Sequence, residues 1–152
     1  MNEFFRFLIL FGLIIVNQIF LATSIWSITP DIFLIYTLVM TTFVKKVPNV
    51  YFFIFKGFLI DLFFSNLTMP YTLTFGIIGL YLNFSTLKWI QRSLLEQIIL
   101  ICSISFVLNI MLFMINSYAD GMNIRIVLNP LLNAAIWAFI FINQRQKWLK
   151  NI

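Results

Sequence analysis

Two aspartates, Asp31 and Asp61, stand beside or inside long apolar runs. A facing pair of carboxylates inside a membrane is the arrangement that lets two acids share a proton and activate water against a peptide bond. That chemistry is associated with an aspartate in a Gly-x-Gly-Asp context, whereas Asp61 follows Gly57-Phe-Leu-Ile. The rest of the reactive inventory is thin. Histidine is absent, which removes the commonest general base and zinc ligand and with it serine–histidine hydrolysis. Cys102 is the only cysteine, so neither an intrachain disulfide nor a cysteine metal cluster can form. The chain carries no glycine-rich phosphate loop and no arginine-rich voltage-sensing helix. These residues point away from an enzyme and give no catalytic, metal or cofactor-binding set; no cofactor is expected.

What remains is charge in an unusual place. The run Phe55-Lys56-Gly57-Phe58-Leu59-Ile60-Asp61 puts a lysine and an aspartate into sequence that otherwise suits the interior of a bilayer. On a helix Gly57 and Asp61 share a face, while Lys56 points roughly 140° away from Asp61 at about 100° per residue. A charge at mid-membrane costs about 2.5–3.5 kcal/mol, which favours a lysine that faces the bundle interior or snorkels to the interface. Counting along the spans puts Asn17, Asn109 and Asn133 at a similar depth to Lys56. These amides, or the Asp31 carboxylate, are the expected partners of its ammonium.

The elements that carry these residues follow from composition. Of 152 residues 62% are hydrophobic and 10% charged, with nineteen Phe and four Trp, too apolar for a small soluble domain that must keep a large polar surface. A spanning helix needs about 20 apolar residues, and six candidates can be placed, at 7–26, 31–46, 48–65, 69–87, 94–115 and 126–143. Basic residues favour the cytoplasmic side. With both termini inside, Arg6, Lys45, Lys46, Lys88, Arg92, Arg145, Lys147 and Lys150 all fall there, and only Arg125 lies in an outer loop. Basic residues come in ones to threes and form no patch for nucleic acid. The first run is too long for a cleaved signal peptide and is expected to remain. Pro30, Pro48 and Pro70 open the second, third and fourth spans, and Pro130 lies within the sixth. The sequence therefore predicts one all-α integral membrane domain over 1–152, a six-transmembrane-helix bundle with both termini cytoplasmic.

Helices in lipid associate through small residues and interhelical hydrogen bonds. Thr72, Gly76, Gly79 and Asn83 share one face of the fourth span, Cys102, Ser105 and Asn109 one face of the fifth, and Asn129, Asn133 and Trp137 one face of the sixth. Asn17 and Gln18 stand in the first. Each face is expected to serve packing within the chain before any partner.

Taken in order, Pro30-Asp31, an apolar span, the basic Lys45-Lys46 loop, Gly57-Phe-Leu-Ile-Asp61-Leu and the Ser65-to-Pro70 turn resemble the signature region of the rod shape-determining MreD family. Asn133-Ala-Ala-Ile-Trp137 before a basic tail resembles that family too, as do the length and the six spans. Asn66 and Pro70 depart from its glycine-bearing turn, and Lys56 beside the motif glycine is foreign to it. The resemblance implies a non-catalytic scaffold in the bacterial inner (cytoplasmic) membrane, part of the cell-elongation complex needed for rod shape and lateral peptidoglycan synthesis. Its implied partners are an MreC-like protein, the MreB filament through that complex, a RodA-type glycosyltransferase and its penicillin-binding transpeptidase. The candidate packing or docking residues are Pro30, Asp31, Lys56, Gly57, Asp61, Gly76, Gly79, Asn109, Asn133 and Trp137. The alternative is the substrate-binding S component of an energy-coupling-factor vitamin transporter. Such components are similar in plan, with Asp31, Asp61 and Trp26 near the outer face, but the first span lacks their Ala-x-x-x-Ala pattern.

Overall fold

In a computed structural model the chain is all-α, and the structure describes residues 3–23, 25–43, 47–64, 68–85, 87, 89–115 and 122–150. Among these, six α-helices follow in order: α1 (Glu3–Ala22), α2 (Ile32–Phe43), α3 (Val50–Phe64), α4 (Pro70–Phe84), α5 (Leu94–Ile115) and α6 (Met122–Lys150). Short 3-10 turns at Ile25–Ile28 and Trp89–Gln91 precede α2 and α5. The closest pairings are the consecutive ones, α3 against α4 and α5 against α6. Lys45, Lys46, Lys88 and the Ser65-Asn66 part of the signature turn lie outside the described residues.

Helix ends follow local chemistry. The first helix stops at Ala22 rather than running to residue 26, and the Thr23 hydroxyl bonds back to the Ile19 and Phe20 carbonyls, the kind of side-chain competition that ends helices. Residues 25–28 then tighten into the 3-10 turn, closed by Thr29 donating to the Trp26 carbonyl. Ser93 opens α5 by accepting the Glu96 amide at 3.2 Å, within the Ser-x-x-Glu pattern of a capping box. The sixth helix begins at Met122, four residues before its expected start, and this changes the status of Arg125. Expected in an outer loop, Arg125 is instead a helical residue at 1% exposure.

The core gathers Leu10, Phe33, Leu34, Phe53, Ile60, Phe75, Ile78, Leu108 and Trp137 from all six helices. Outside it the surface stays apolar: Leu8, Phe11, Ile15 and Ile19 on α1, Leu73, Ile77, Leu80 and Phe84 on α4, and Leu131, Phe139 and Ile142 on α6 are exposed. Contiguous apolar surface on this scale marks an interaction with something other than water. Among the described residues two stretches, Leu94–Ile115 and Asn123–Gln146, are long and apolar enough to cross a membrane.

The α3/α4 contact is set by glycine. A Cβ on Gly57 would meet the Tyr71 carbonyl oxygen at 2.5 Å and the Thr72 Cα and N at 2.6 and 2.7 Å, so the backbone of α4 rests directly on it. At Gly79 the near neighbour is the Phe53 side chain at 3.0–3.1 Å, and Gly76 faces Ile54 at an ordinary 3.5 Å. Gly12 on α1 has nothing within 4 Å. The expected ranking is therefore steep. Gly57→Ala forces α3 and α4 apart and should cost about 3 kcal/mol or more, whereas Gly12→Ala should leave the denaturation midpoint of the purified protein unchanged or slightly raised. Equal midpoints for the two variants would contradict this packing.

Candidate functional site

The first turn of any helix has amides without intrahelical partners, and α4 begins against α3 with Pro70 at its first position and Met69 before it in the left-handed region at φ 53°. Pro70 has no N–H, and the Leu73 amide bonds the Met69 carbonyl, which leaves Tyr71 and Thr72. Asp61, buried on α3 one turn beyond Gly57, supplies what they need. Its Oδ1 accepts the Tyr71 amide at 3.0 Å, and its Oδ2 accepts the Thr72 amide and hydroxyl, each at 2.7 Å. The Gly57/Asp61 pair is thus one device. The glycine admits the helix start, and the carboxylate caps it from a neighbouring helix.

Asp31 performs a related task on α2. Its Oδ1 accepts the Leu34 amide at 2.9 Å, an N-cap, and its Oδ2 accepts the Tyr71 hydroxyl at 3.0 Å. The Asp31 amide donates to Asn133 Oδ1 at 2.8 Å. Asn133 lies in a ladder on α6 formed by Arg125, Asn129, Asn133 and Trp137, four residues apart and all buried. Asn133 Nδ2 donates to Ser105 Oγ on α5 at 2.9 Å and to Asn129 Oδ1 at 3.0 Å. Asn109 Nδ2 donates to the same Asn129 oxygen at 2.8 Å, and Asn129 Nδ2 to the Thr29 carbonyl at 2.9 Å. Arg125 tops the ladder. Its guanidinium stacks 3.8 Å from the centre of the Trp26 ring and donates to the carbonyls of Trp26 and Thr29. At the opposite end Trp137 Nε1 donates to Gln97 Oε1 at 2.6 Å, and Gln97 Nε2 to the Trp89 carbonyl at 2.7 Å. Nearby, Arg92 joins the Tyr81 hydroxyl, Ser85 and Glu96.

The structure thus brings Asp31, Asn109 and Asn133 into one continuous network, ties Gly57 and Asp61 to it through Tyr71, and places Trp137 in a separate group with Gln97 and Trp89. Pro30 precedes Asp31 at that junction. Gly76 and Gly79 lie on the α3-facing side of α4, and Asn83 donates from that same side to the Pro48 carbonyl at 3.0 Å. Lys56 stands apart. Asn133 Oδ1 accepts the Asp31 amide, the described bonds of the Asp31 carboxylate go to Leu34 and Tyr71, and the Lys56 ammonium lies over the Tyr36 and Phe52 rings. Asn109 Oδ1 has no hydrogen-bond partner, so the expected bond from Lys56 is not made there.

Reading by residue type passes over Arg125, Arg92, Tyr71 and Gln97, each of which carries several of these bonds. For Arg92 and Glu96 the Ser93-x-x-Glu96 capping box was a usable signal. For Arg125 the i, i+4 spacing to Asn129 was. Among the described residues no group of three or more His, Cys, Asp or Glu side chains stands together for a metal. The carboxylates of Asp31 and Asp61 hold helix amides, and the arrangement fixes helix positions.

Comparison with protein-family models, curated proteins and solved structures finds no match to this chain. The site is therefore argued from its own geometry. Asp61→Asn replaces one acceptor oxygen by a donor and should cost about 1.5–3 kcal/mol, while Thr72→Val keeps both capped amides and should cost about 1 kcal/mol. Denaturation midpoints of the two purified variants measure the difference, and a Thr72→Val loss as large as that of Asp61→Asn would assign the role to the hydroxyl instead of the cap.

Proposed function

We propose that this protein is a non-catalytic scaffold subunit of the bacterial cell-elongation complex, a bundle of six helices in the cytoplasmic membrane with both termini in the cytoplasm. The observation that carries the reading is the convergence of the motif residues. Pro30-Asp31, Gly57 with Asp61, and Asn133 with Trp137 are the segments that resemble the MreD family, and their polar groups bond to other helices of the same chain. A subunit whose distinctive residues organise its own interior presents its lateral surface to neighbours, and that surface is apolar. Its partners in this reading are an MreC-like protein, a RodA-type glycosyltransferase with its transpeptidase, and the MreB filament through the complex.

Helix length shapes the membrane reading. At about 1.5 Å per residue, α1, α5 and α6 are long enough for a hydrocarbon core of about 30 Å, whereas α2, α3 and α4 reach only about 18–22 Å. Flanking segments such as the 3-10 turn before α2 complete their paths, and a bilayer thins around short helices at modest cost. The vitamin-capture alternative needs Asp31, Asp61 and Trp26 to face a ligand. Asp31 and Asp61 instead accept helix amides, and Trp26 lies under Arg125.

Depletion of the protein in a rod-shaped host should turn the cells round, and affinity purification should recover the MreC-like and synthase subunits. Unchanged rods together with stabilisation of the purified protein by a vitamin at micromolar concentration would overturn the scaffold in favour of transport.

A further inference from the structure

At about 1.5 Å per residue the 29 residues of α6 extend about 43 Å, more than a hydrocarbon core of about 30 Å needs. Met122 to Ile142 already covers about 31 Å. The remainder, Asn143-Gln-Arg145-Gln-Lys147-Trp148-Leu-Lys150, continues the same helix for about 12 Å, far enough to traverse a polar headgroup layer of about 5–8 Å. It carries three cations, and no acidic residue occurs anywhere in α6. Arg145 marks the boundary. It is exposed, about 4.5 Å beyond Ile142 along the helix axis, and its guanidinium lies 5.4 Å from the centre of the buried Phe141 ring. Among the described residues it has no carboxylate partner. The described ion pair at this end joins Arg92 to Glu96 at the start of α5, which the Trp137–Gln97 bond holds beside α6. The same segment contains Trp148, a residue type enriched at membrane–water boundaries.

We propose that the last eight residues of α6 form a binding site for the headgroups of anionic phospholipids, with Arg145 at the level of the lipid phosphates and Lys147 and Lys150 adding charge beyond it. A planar guanidinium engages phosphate oxygens two at a time, which an ammonium cannot do. The Phe141 ring beneath Arg145 holds its charge near the apolar boundary by a cation–π contact. The lysines contribute attraction to an anionic surface that salt weakens. A phosphatidylcholine headgroup brings its own ammonium and no net charge, so the site discriminates lipids by net charge. The inference rests on the membrane placement of α6 and adds a ligand that the scaffold reading does not require, so lipid binding and cell shape can fail separately.

Native mass spectrometry of the purified full-length protein in neutral detergent counts the lipids it retains from an equimolar mixture of phosphatidylglycerol and phosphatidylcholine. Each cation near an anionic surface favours association about five-fold, so the parent should retain phosphatidylglycerol in about ten-fold excess or more. That excess should shrink as salt rises. Neutralising the segment with Arg145→Gln, Lys147→Gln and Lys150→Gln together should bring retention close to parity. Lys45→Gln with Lys46→Gln, which removes charge from a different segment, should keep at least half of the parent's excess. Should the triple variant fail to fold, Arg145→Gln alone takes its place, with about a five-fold loss expected. No preference in the parent, a preference indifferent to salt, an α6 variant that retains the parent's excess, or an equal loss on neutralising Lys45 and Lys46 overturns the proposal.

Discussion

A helix that begins against apolar surface exposes amides that no solvent is present to satisfy, and the start of α4 meets this constraint through α3. Gly57 removes the side chain that would hold the two backbones apart, and Asp61 accepts the amides that the close approach would otherwise strand. Neither residue suffices alone. Without the glycine the carboxylate could not reach, and without the carboxylate the approach would bury two unpaired donors.

The rest of the interior follows from that junction. With α4 seated, the Tyr71 hydroxyl reaches Asp31, whose amide in turn meets Asn133. Asn133 carries the connection to Ser105 on α5 and to Asn129, and Asn129 and Arg125 take up the carbonyls of the turn that follows α1. Helices α2 to α6 and the turn after α1 are thereby joined by a few buried polar groups. Hydrophobic burial offers little guidance to helix position where the surroundings are themselves apolar, so such bonds and close backbone contacts set the geometry. A bundle organised this way keeps its polar groups inside and leaves an apolar outer surface.

Much of this was legible in the sequence, for reasons of periodicity. The four-residue spacing of Gly57 and Asp61, and of Asn129, Asn133 and Trp137, announces shared faces whatever the surroundings. The apolar runs locate most helix ends to within about four residues; the largest departure is α6, which begins four residues before and ends seven residues after the expected span 126–143. Arg125 was hidden by the logic that found the spans. Counting cations as loop residues works where water holds the charge, but Arg125 is held by carbonyls of residues 26 and 29, far away in the chain, and by the face of Trp26. Nothing local to Arg125 records those groups. Lys56 fails in a similar way. Depth along the helices puts Asn109 level with it, yet depth says nothing of direction, and Asn109 Oδ1 is left without a hydrogen-bond partner.

The central claim is that Asp61 caps α4 across the interface, and amide hydrogen exchange at Tyr71 and Thr72 tests it most directly. Amides in the first turn of a helix ordinarily exchange fast because no carbonyl of their own helix covers them. The cap predicts protection at Tyr71 and Thr72 comparable to the middle of α4, and its loss in Asp61→Ala. Exchange at these two positions as rapid as in an open loop, in the unsubstituted protein, would contradict the account.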